Sequence, residues 1–414
     1  MNCTRVWICA VLSCLSAAAA PAAVDLGPAN PFLVPSRLPF QAPPFDKIHD
    51  QDYQPAIEAG MAQQRAEILT IADSRAKPTF DNTLVPLERS GRLLDRAQRA
   101  FSAASEANTN SVLQAAKTAL APKLAAHHDA IFLNAKLFAR VTAVHAQPAT
   151  ARLDAEARRL VEFTYDQFVH AGANLSEEDK ARLKKLNEEL STLSNSFTSQ
   201  VLAATQEAAF HSATPAALSG LSAAQLTAAG LAAQNRHLAG YLLPLQNTTQ
   251  QPALASLENR ETRRAIFENS WTRTERGDGN DTREIIARLA HLRAERAALL
   301  GYPNHAAWKI EDQMAKTPEA ALAFMDALVP IAVAKVGEDA ADIQSLMDRQ
   351  LPGATLEPWD FSFYAEKVRK ARYDFDDADV KSYFELGSVL ENGVFYAATQ
   401  LYGITFYERR DIPV

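Results

Sequence analysis

A water-activating metal site built on one helix needs two histidines one turn apart. Both imidazoles then face the same ion, and a glutamate between them serves as general base. This chain carries nine histidines: His49, His127, His128, His145, His170, His211, His237, His291 and His305. None is followed by glutamate, and no two stand three or four residues apart. His127 and His128 are neighbours, so on a helix they diverge by about 100° and cannot serve one ion from one face. Each reads as a surface or satisfied core histidine. No G-x-S-x-G elbow is present, and Ser388 after Gly387 stands in a helical pattern. Gly277 and Gly279 lack the following Gly or Lys-Ser/Thr of a phosphate loop. Carboxylate pairs such as Glu188-Glu189 and Asp376-Asp377 are ordinary solvated features. No catalytic, cofactor-binding or metal residue is therefore assigned.

The elements around these residues are mostly helical. Ser176-Glu177-Glu178-Asp179 resembles a capping box. Leu183, Leu186, Leu190, Leu193, Phe197 and Val201 follow as one apolar stripe on a long helix. A second helix is announced at Asp281 and Glu284, buries Ile285, Leu289, Leu292, Ala297 and Leu300, and stops at Gly301 and Pro303. A third begins with Thr317 as cap and Pro318 at the first position, with Leu322, Met325, Leu328 and Val336 pointing inward. His237 to Leu245 is a short strand candidate, and Gly277-Asp278-Gly279-Asn280 a turn. Tyr383 to Tyr402 reads as a helix ended by Gly403, and Ile404-Thr405-Phe406-Tyr407 as strand-like. No internal repeat of fixed period stands out. The fold class is mostly α, a multi-helix body with a few short strands.

The N-terminus has the order of an export signal. Arg5 is followed by the apolar run Val6 to Leu15 and the small-residue stretch Ser16 to Ala23, with A-x-A sites at Ala18-Ala19-Ala20 and Ala20-Pro21-Ala22. A buried N-terminal helix is the alternative, and a lipoprotein reading through Cys14 is weaker. Cys3, Cys9 and Cys14 all lie in this segment, so a mature chain would have neither disulfide nor thiolate chemistry. The product is expected to be exported, and periplasmic in a Gram-negative cell. Elsewhere no uninterrupted apolar run reaches membrane-spanning length. From Val24 to Pro55, seven prolines interleave with Phe32, Leu33, Leu38, Phe40 and Phe45, which suggests an extended arm packed along the body. The 414 residues exceed the size at which one core stops growing, so two or more lobes are expected. Formal net charge is −7, from 42 basic against 49 acidic residues, which disfavours a nucleic-acid partner.

Short stretches then resemble a known family from one end to the other. They include Asn30-Pro31-Phe32, Leu38-Pro39-Phe40, Pro44-Phe45-Asp46, Phe80-Asp81-Asn82-Thr83 and Leu87-Glu88-Arg89-Ser90-Gly91. Leu243-Pro244-Leu245-Gln246-Asn247-Thr248-Thr249-Gln250-Gln251-Pro252, Ala307-Trp308-Lys309, Met314-Ala315-Lys316-Thr317-Pro318, Phe363-Tyr364-Ala365-Glu366 and Arg410-Asp411-Ile412-Pro413-Val414 continue the series. Together and in order they resemble the peptidyl-dipeptidase (dipeptidyl carboxypeptidase) branch of the thimet-oligopeptidase family of zinc metallopeptidases, over roughly residues 30 to 414 and only the first part of its pattern.

The resemblance implies a helix-rich body divided by a deep channel, a zinc ion on an H-E-x-x-H helix with a downstream glutamate ligand, and release of C-terminal dipeptides from oligopeptides. Every residue of that chemistry falls beyond the position matching Val414. The division it implies is 1–23 signal peptide, 24–255 N-terminal helical region walling the channel, and 256–414 the incomplete start of the peptidase domain. The strand candidate Ile404-Thr405-Phe406-Tyr407 followed by an abrupt stop at Asp411-Ile412-Pro413-Val414 reads as a truncation. The chain is thus expected to be an enzyme by family and inactive alone. It would lack a zinc site of its own and leave apolar surface for a C-terminal half to cover. The competing readings are a non-catalytic peptide-binding or interaction module and one half of a two-chain enzyme.

Overall fold

Phe32 anchors the proline-rich arm. A computed structural model describes residues 29–147, 150, 152–374 and 380–413; the export signal, the cysteines and Asp376-Asp377 lie outside the described residues. Proline keeps the arm extended, and Phe32 and Phe45 fold onto the first core, with the Phe32 and Tyr53 rings 5.7 Å apart. Arg96 Nη2 donates to the Phe32 carbonyl at 3.0 Å and Asn30 Nδ2 to the Asp52 carbonyl at 3.1 Å. The arm is packed as expected at those two rings, whereas Leu33 and Phe40 face solvent.

Helix α1 (Tyr53–Ala72) lies against α3 (Arg92–Ala107), with the short α2 (Val85–Arg89) between them in sequence. The approach is close because Gly60 has no side chain: a Cβ there would stand 2.6 Å from the backbone of Leu94. Asn110 caps α4 (Ser111–Phe132), its side-chain oxygen accepting from Val112 and Leu113 amides at 2.9 and 3.1 Å. Helices α5 (Ala135–His145) and α6 (Ala155–His170) pair and join Ile68 and Ile71 of α1 in a second core around Phe168. Buried Arg140 of α5 donates to the carbonyls of Ser74 and Ala76, to Asn82 Oδ1 and to Thr83 Oγ1, and so satisfies a loop that has no ladder of its own.

Helix α7 (Glu177–Glu207) is the long striped helix. Ser176 accepts from the Asp179 amide at 3.1 Å, and Leu183, Leu186 and Leu190 are buried between α4 and α11 (Arg283–Leu299). Beyond it, β1 (Phe210–Ser212) pairs antiparallel with β2 (Tyr241–Leu243) in a two-stranded ladder, with α8 (Ala223–Asn235) between them. The strand candidate at His237 to Leu245 therefore holds in its central residues. Helices α9 (Asn247–Ser256) and α10 (Arg260–Trp271) close a core around Leu257 and Ile266. Leu289, Leu292 and Ala297 form the buried face of α11, which ends at Gly301 with φ +83°. Helix α12 (His305–Ile310) follows, then α13 (Pro318–Gln350), capped by Thr317 as expected, and α14 (Pro358–Tyr373).

Four sequence expectations change here. Leu322, Met325, Leu328 and Val336 of α13 do not turn inward; each is at least half exposed, because among the described residues α13 meets α12 without forming a core there and builds one only at its far end, where Ile343 and Met347 pack on Phe363 and Tyr364 of α14. By length and composition α13 could also cross a membrane; Asp326 interrupts its apolar run, which is why no uninterrupted stretch marked it. The last helix, α15, runs over residues 386–402 with a π-helical middle at Val389–Phe395, and Tyr383 lies in a turn before it. Ile404 to Tyr407 forms no strand, having no partner to complete a ladder; instead Phe406 stacks on Phe395 at 4.4 Å. The architecture is mostly α, as the periodicity implies.

Candidate functional site

The histidines scatter over the helices as their spacing requires. His127 is buried on α4, and the side-chain oxygen of Gln64 accepts from its Nε2 at 2.7 Å. Burial first, then the charges of Arg65 and His128, pulls its pKa down to about 4, so the ring is neutral. His145 stacks on Tyr165, His211 bonds the Ala239 carbonyl, and His291 meets Glu295 one turn on. Among the described residues no three His, Cys, Asp or Glu side chains gather as a metal site would need. Nor does any Ser or Thr hydroxyl among them hydrogen-bond a histidine, the contact that would activate an oxygen nucleophile.

Three histidines do share one space. A cavity of about 440 Å³ lies between α4, the end of α6, α7, α11 and α12, and His128, His170 and His305 all line it. Its organising residue is Trp308. The indole Nε1 donates to the His170 carbonyl at 3.1 Å, while His170 Nε2 donates to the Trp308 carbonyl at 2.8 Å. That exchange holds the imidazole and indole stacked 4.7 Å apart, with 13° between their planes. Asn304 caps α12 by accepting from the Ala307 amide at 2.8 Å, which fixes the turn that delivers Trp308.

The Arg296 guanidinium lies 4.2 Å over the Trp308 ring, a cation–π contact inside a half-buried site. A chain of polar groups holds it there. Asn187 of α7 accepts from Arg296 Nη1 at a long 3.4 Å, and Asn187 Nδ2 donates to Asp129 Oδ1 at 2.9 Å. Asp129 Oδ2, Arg296 Nε and His305 Nδ1 are buried without partners. Arg293 and Lys309 stand at the mouth, and among the described residues neither they nor Arg296 is ion-paired with a carboxylate. Burial lowers the Arg296 pKa, Arg293 adds to the shift and Asp129 opposes it. Burial, then Arg296, Arg293 and Lys309, lowers that of His305 and keeps the ring neutral at pH 7. The cavity thus offers cationic N–H donors and no base–nucleophile pair.

A second polar cluster is structural. Asp360 of α14 is fully buried and receives Arg260 Nη2 at 2.7 Å and Arg263 Nη2 at 2.8 Å, both from α10. Neither cluster was singled out from the sequence. His128-Asp129 stands as a lone dipeptide, Asn187 and Arg296 are 109 positions apart, and of the charged and aromatic residues around the cavity only Trp308 and Lys309 fall in a family-like stretch.

Residues 253–414 match Peptidase family M3. The chain is 48% identical over 386 residues to the dipeptidyl carboxypeptidase of Escherichia coli (strain K12), covering 93% of this chain and 57% of the relative. The dipeptidyl carboxypeptidase of Salmonella typhimurium (strain LT2) is 49% identical with the same coverage. Oligopeptidase A of Escherichia coli (strain K12) is 26% identical over 93% of this chain and 56% of its own length. The chain thus spans a little over half the length of the curated relatives it matches. The family is one of metallopeptidases, generally zinc-dependent. The described residues of this chain do not fit such an ion, since no ligand set converges among them.

Proposed function

We propose that this chain supplies the N-terminal scaffold of an exported zinc metallopeptidase that releases dipeptides from oligopeptide C-termini. On this reading the metal and its base are supplied by sequence that the relatives carry beyond the matched region. The observation that carries the reading is the identity of 48–49% to two dipeptidyl carboxypeptidases, against 26% to an oligopeptidase A over the same share of the chain. Helix α13 supports it independently: Phe324, Leu328 and Ile331 share an exposed apolar face, with Leu322 exposed on another side, more apolar surface than a solvated helix would keep. Asp326, in the middle of the helix's apolar run, would cost about 3 kcal/mol in lipid, which favours protein over bilayer as its cover. The division at 255/256 and the removal of residues 1–23 belong to the same proposal. On its own the chain binds no stoichiometric zinc and releases no dipeptides.

Co-expression of this chain with the C-terminal 43% of an Escherichia coli dipeptidyl carboxypeptidase tests the reading. A zinc-containing complex that frees dipeptides from a blocked tetrapeptide is the expected result. Stoichiometric zinc and chelator-sensitive cleavage by the chain alone would overturn its inactivity. A folded, zinc-loaded complex that cuts internally without freeing dipeptides would overturn the specificity.

A further inference from the structure

The cavity around Trp308 has no role in the function just proposed, yet it is built like a binding site. Three cations face it without ion-pair partners among the described residues, two at the mouth and Arg296 inside. Fixed charges held near one another without a counter-charge repel, and an anion bound among them relieves that cost. Asp129 is the one carboxylate in the lining. Its Oδ1 faces Asn187, with His128 Nδ1 3.8 Å away, and its Oδ2 is sealed from solvent, so it positions Arg296 through Asn187 without blocking the space. Stacking on Trp308 leaves the edge of the Arg296 guanidinium, where the N–H groups point, free of any carboxylate.

The remaining wall is mixed, with an apolar part beside the hydroxyls of Ser191 and Ser194. Leu183, Leu190 and Leu300 line it together with the indole of Trp308. A volume of about 440 Å³ far exceeds an inorganic ion, for which a water-sized space of about 30 Å³ suffices. We infer that this cavity binds a small organic carboxylate, whose anionic end meets Arg296 with Arg293 and Lys309 and whose apolar body lies on Trp308 and the leucines. His305, neutral in the free protein, would then face an anion.

Calorimetric titration of the full chain with three probes separates the contributions. N-acetyl-leucine carries both charge and apolar body, N-acetyl-leucinamide the body alone, and inorganic phosphate the charge alone. The acid is expected to bind with a dissociation constant on the order of 1 mM, and the other two at least about tenfold more weakly. Arg296→Met should lower affinity for the acid about tenfold or more. Lys309→Gln, a surface change that leaves folding intact, should lower it a few-fold and flatten its salt dependence. Equal binding of acid and amide, equal binding of acid and phosphate, no binding of the acid at 10 mM (about tenfold above the expected constant), or unaltered affinity in both variants would each overturn the assignment.

Discussion

Asp360→Asn should cost this chain more stability than any other single substitution of one atom. The carboxylate is fully buried and accepts from Arg260 Nε and Nη2, from Arg263 Nη2 at 2.8 Å and from the Glu357 amide at 3.3 Å. Burial by itself would raise its pKa; the hydrogen bonds from Arg260 and Arg263 outweigh that and hold it below the usual carboxylate value. An amide in its place removes the charge and turns an NH2 toward two guanidinium donors. Arg260 is about a third exposed and recovers hydration, so its share is small. Arg263 is 1% exposed and keeps only the Leu257 and Glu258 carbonyls and the Phe363 ring, 4.2 Å away. Stranding one buried charge costs about 3–5 kcal/mol, and the retained contacts place this case near 3. Urea unfolding measures the loss. Hydrogen exchange over Arg260–Trp271 and Pro358–Tyr373 localises it to the α10–α14 contact. The double variant Asp360→Leu with Arg263→Met should recover most of it, since an apolar pair leaves no charge stranded. A loss below about 1 kcal/mol for Asp360→Asn would refute the claim that Arg263 depends on this carboxylate.

Other consequences can be measured on the same chain. His127 is neutral when folded because its pKa falls to about 4, against about 6.5 unfolded; the unfolded chain binds more protons between those values, so stability is full above pH 6.5 and falls toward pH 4. The loss should total about 3 kcal/mol and shrink in His127→Gln, as followed by urea midpoints; a variant with the parent's pH slope would count against it. Gly60→Ala should destabilise by about 2 kcal/mol, because a Cβ 2.6 Å from the Leu94 backbone outweighs the gain of up to about 1 kcal/mol from helix propensity; a raised midpoint would show that α1 and α3 can part freely. Leu328→Glu with Ile331→Lys should change the stability of this chain by less than about 0.5 kcal/mol and lower its binding of a hydrophobic dye, while abolishing assembly with a C-terminal half; a large loss in the chain alone would mean α13 is already covered.

Local chemistry was legible wherever a residue acts on its own neighbours. Ser176, Thr317 and Gly301 sit at the helix ends where capping rules put them, and the first half of the α7 stripe, Leu183, Leu186 and Leu190, is buried where its period says, while Leu193, Phe197 and Val201 are half-buried. Contacts between distant residues were not. Arg263 and Asp360 lie 97 positions apart, and nothing in either neighbourhood marks them as partners. The Trp308 cavity draws on five helices, so its cations read in sequence as ordinary solvated charges. The strand-like Ile404-Thr405-Phe406-Tyr407 failed for a related reason: alternation supplies a strand's faces, while only a second strand supplies its hydrogen bonds.

Helices α7 and α13 carry the same kind of apolar period and meet opposite fates. The leucines of α7 are sealed by α4 on one side and α11 on the other, all within this chain. Those of α13 meet α14 around Ile343, Leu346 and Met347, and among the described residues the apolar side chains from Leu322 to Val336 stay exposed. Periodicity records which face evolved to be dry; it does not record which segment dries it. Clustering of the buried cores supports a division of labour along the chain. The cores built from Phe32 to Leu292 are satisfied by their own helices, whereas α13 and α15 keep exposed the side chains that a packed interior would use. The relatives are longer by the share this chain does not cover, 43% of the Escherichia coli dipeptidyl carboxypeptidase. Under the function proposed above, the apolar surface of α13, a helix that lipid would penalise at Asp326, is the seam for sequence the relatives carry beyond the matched region.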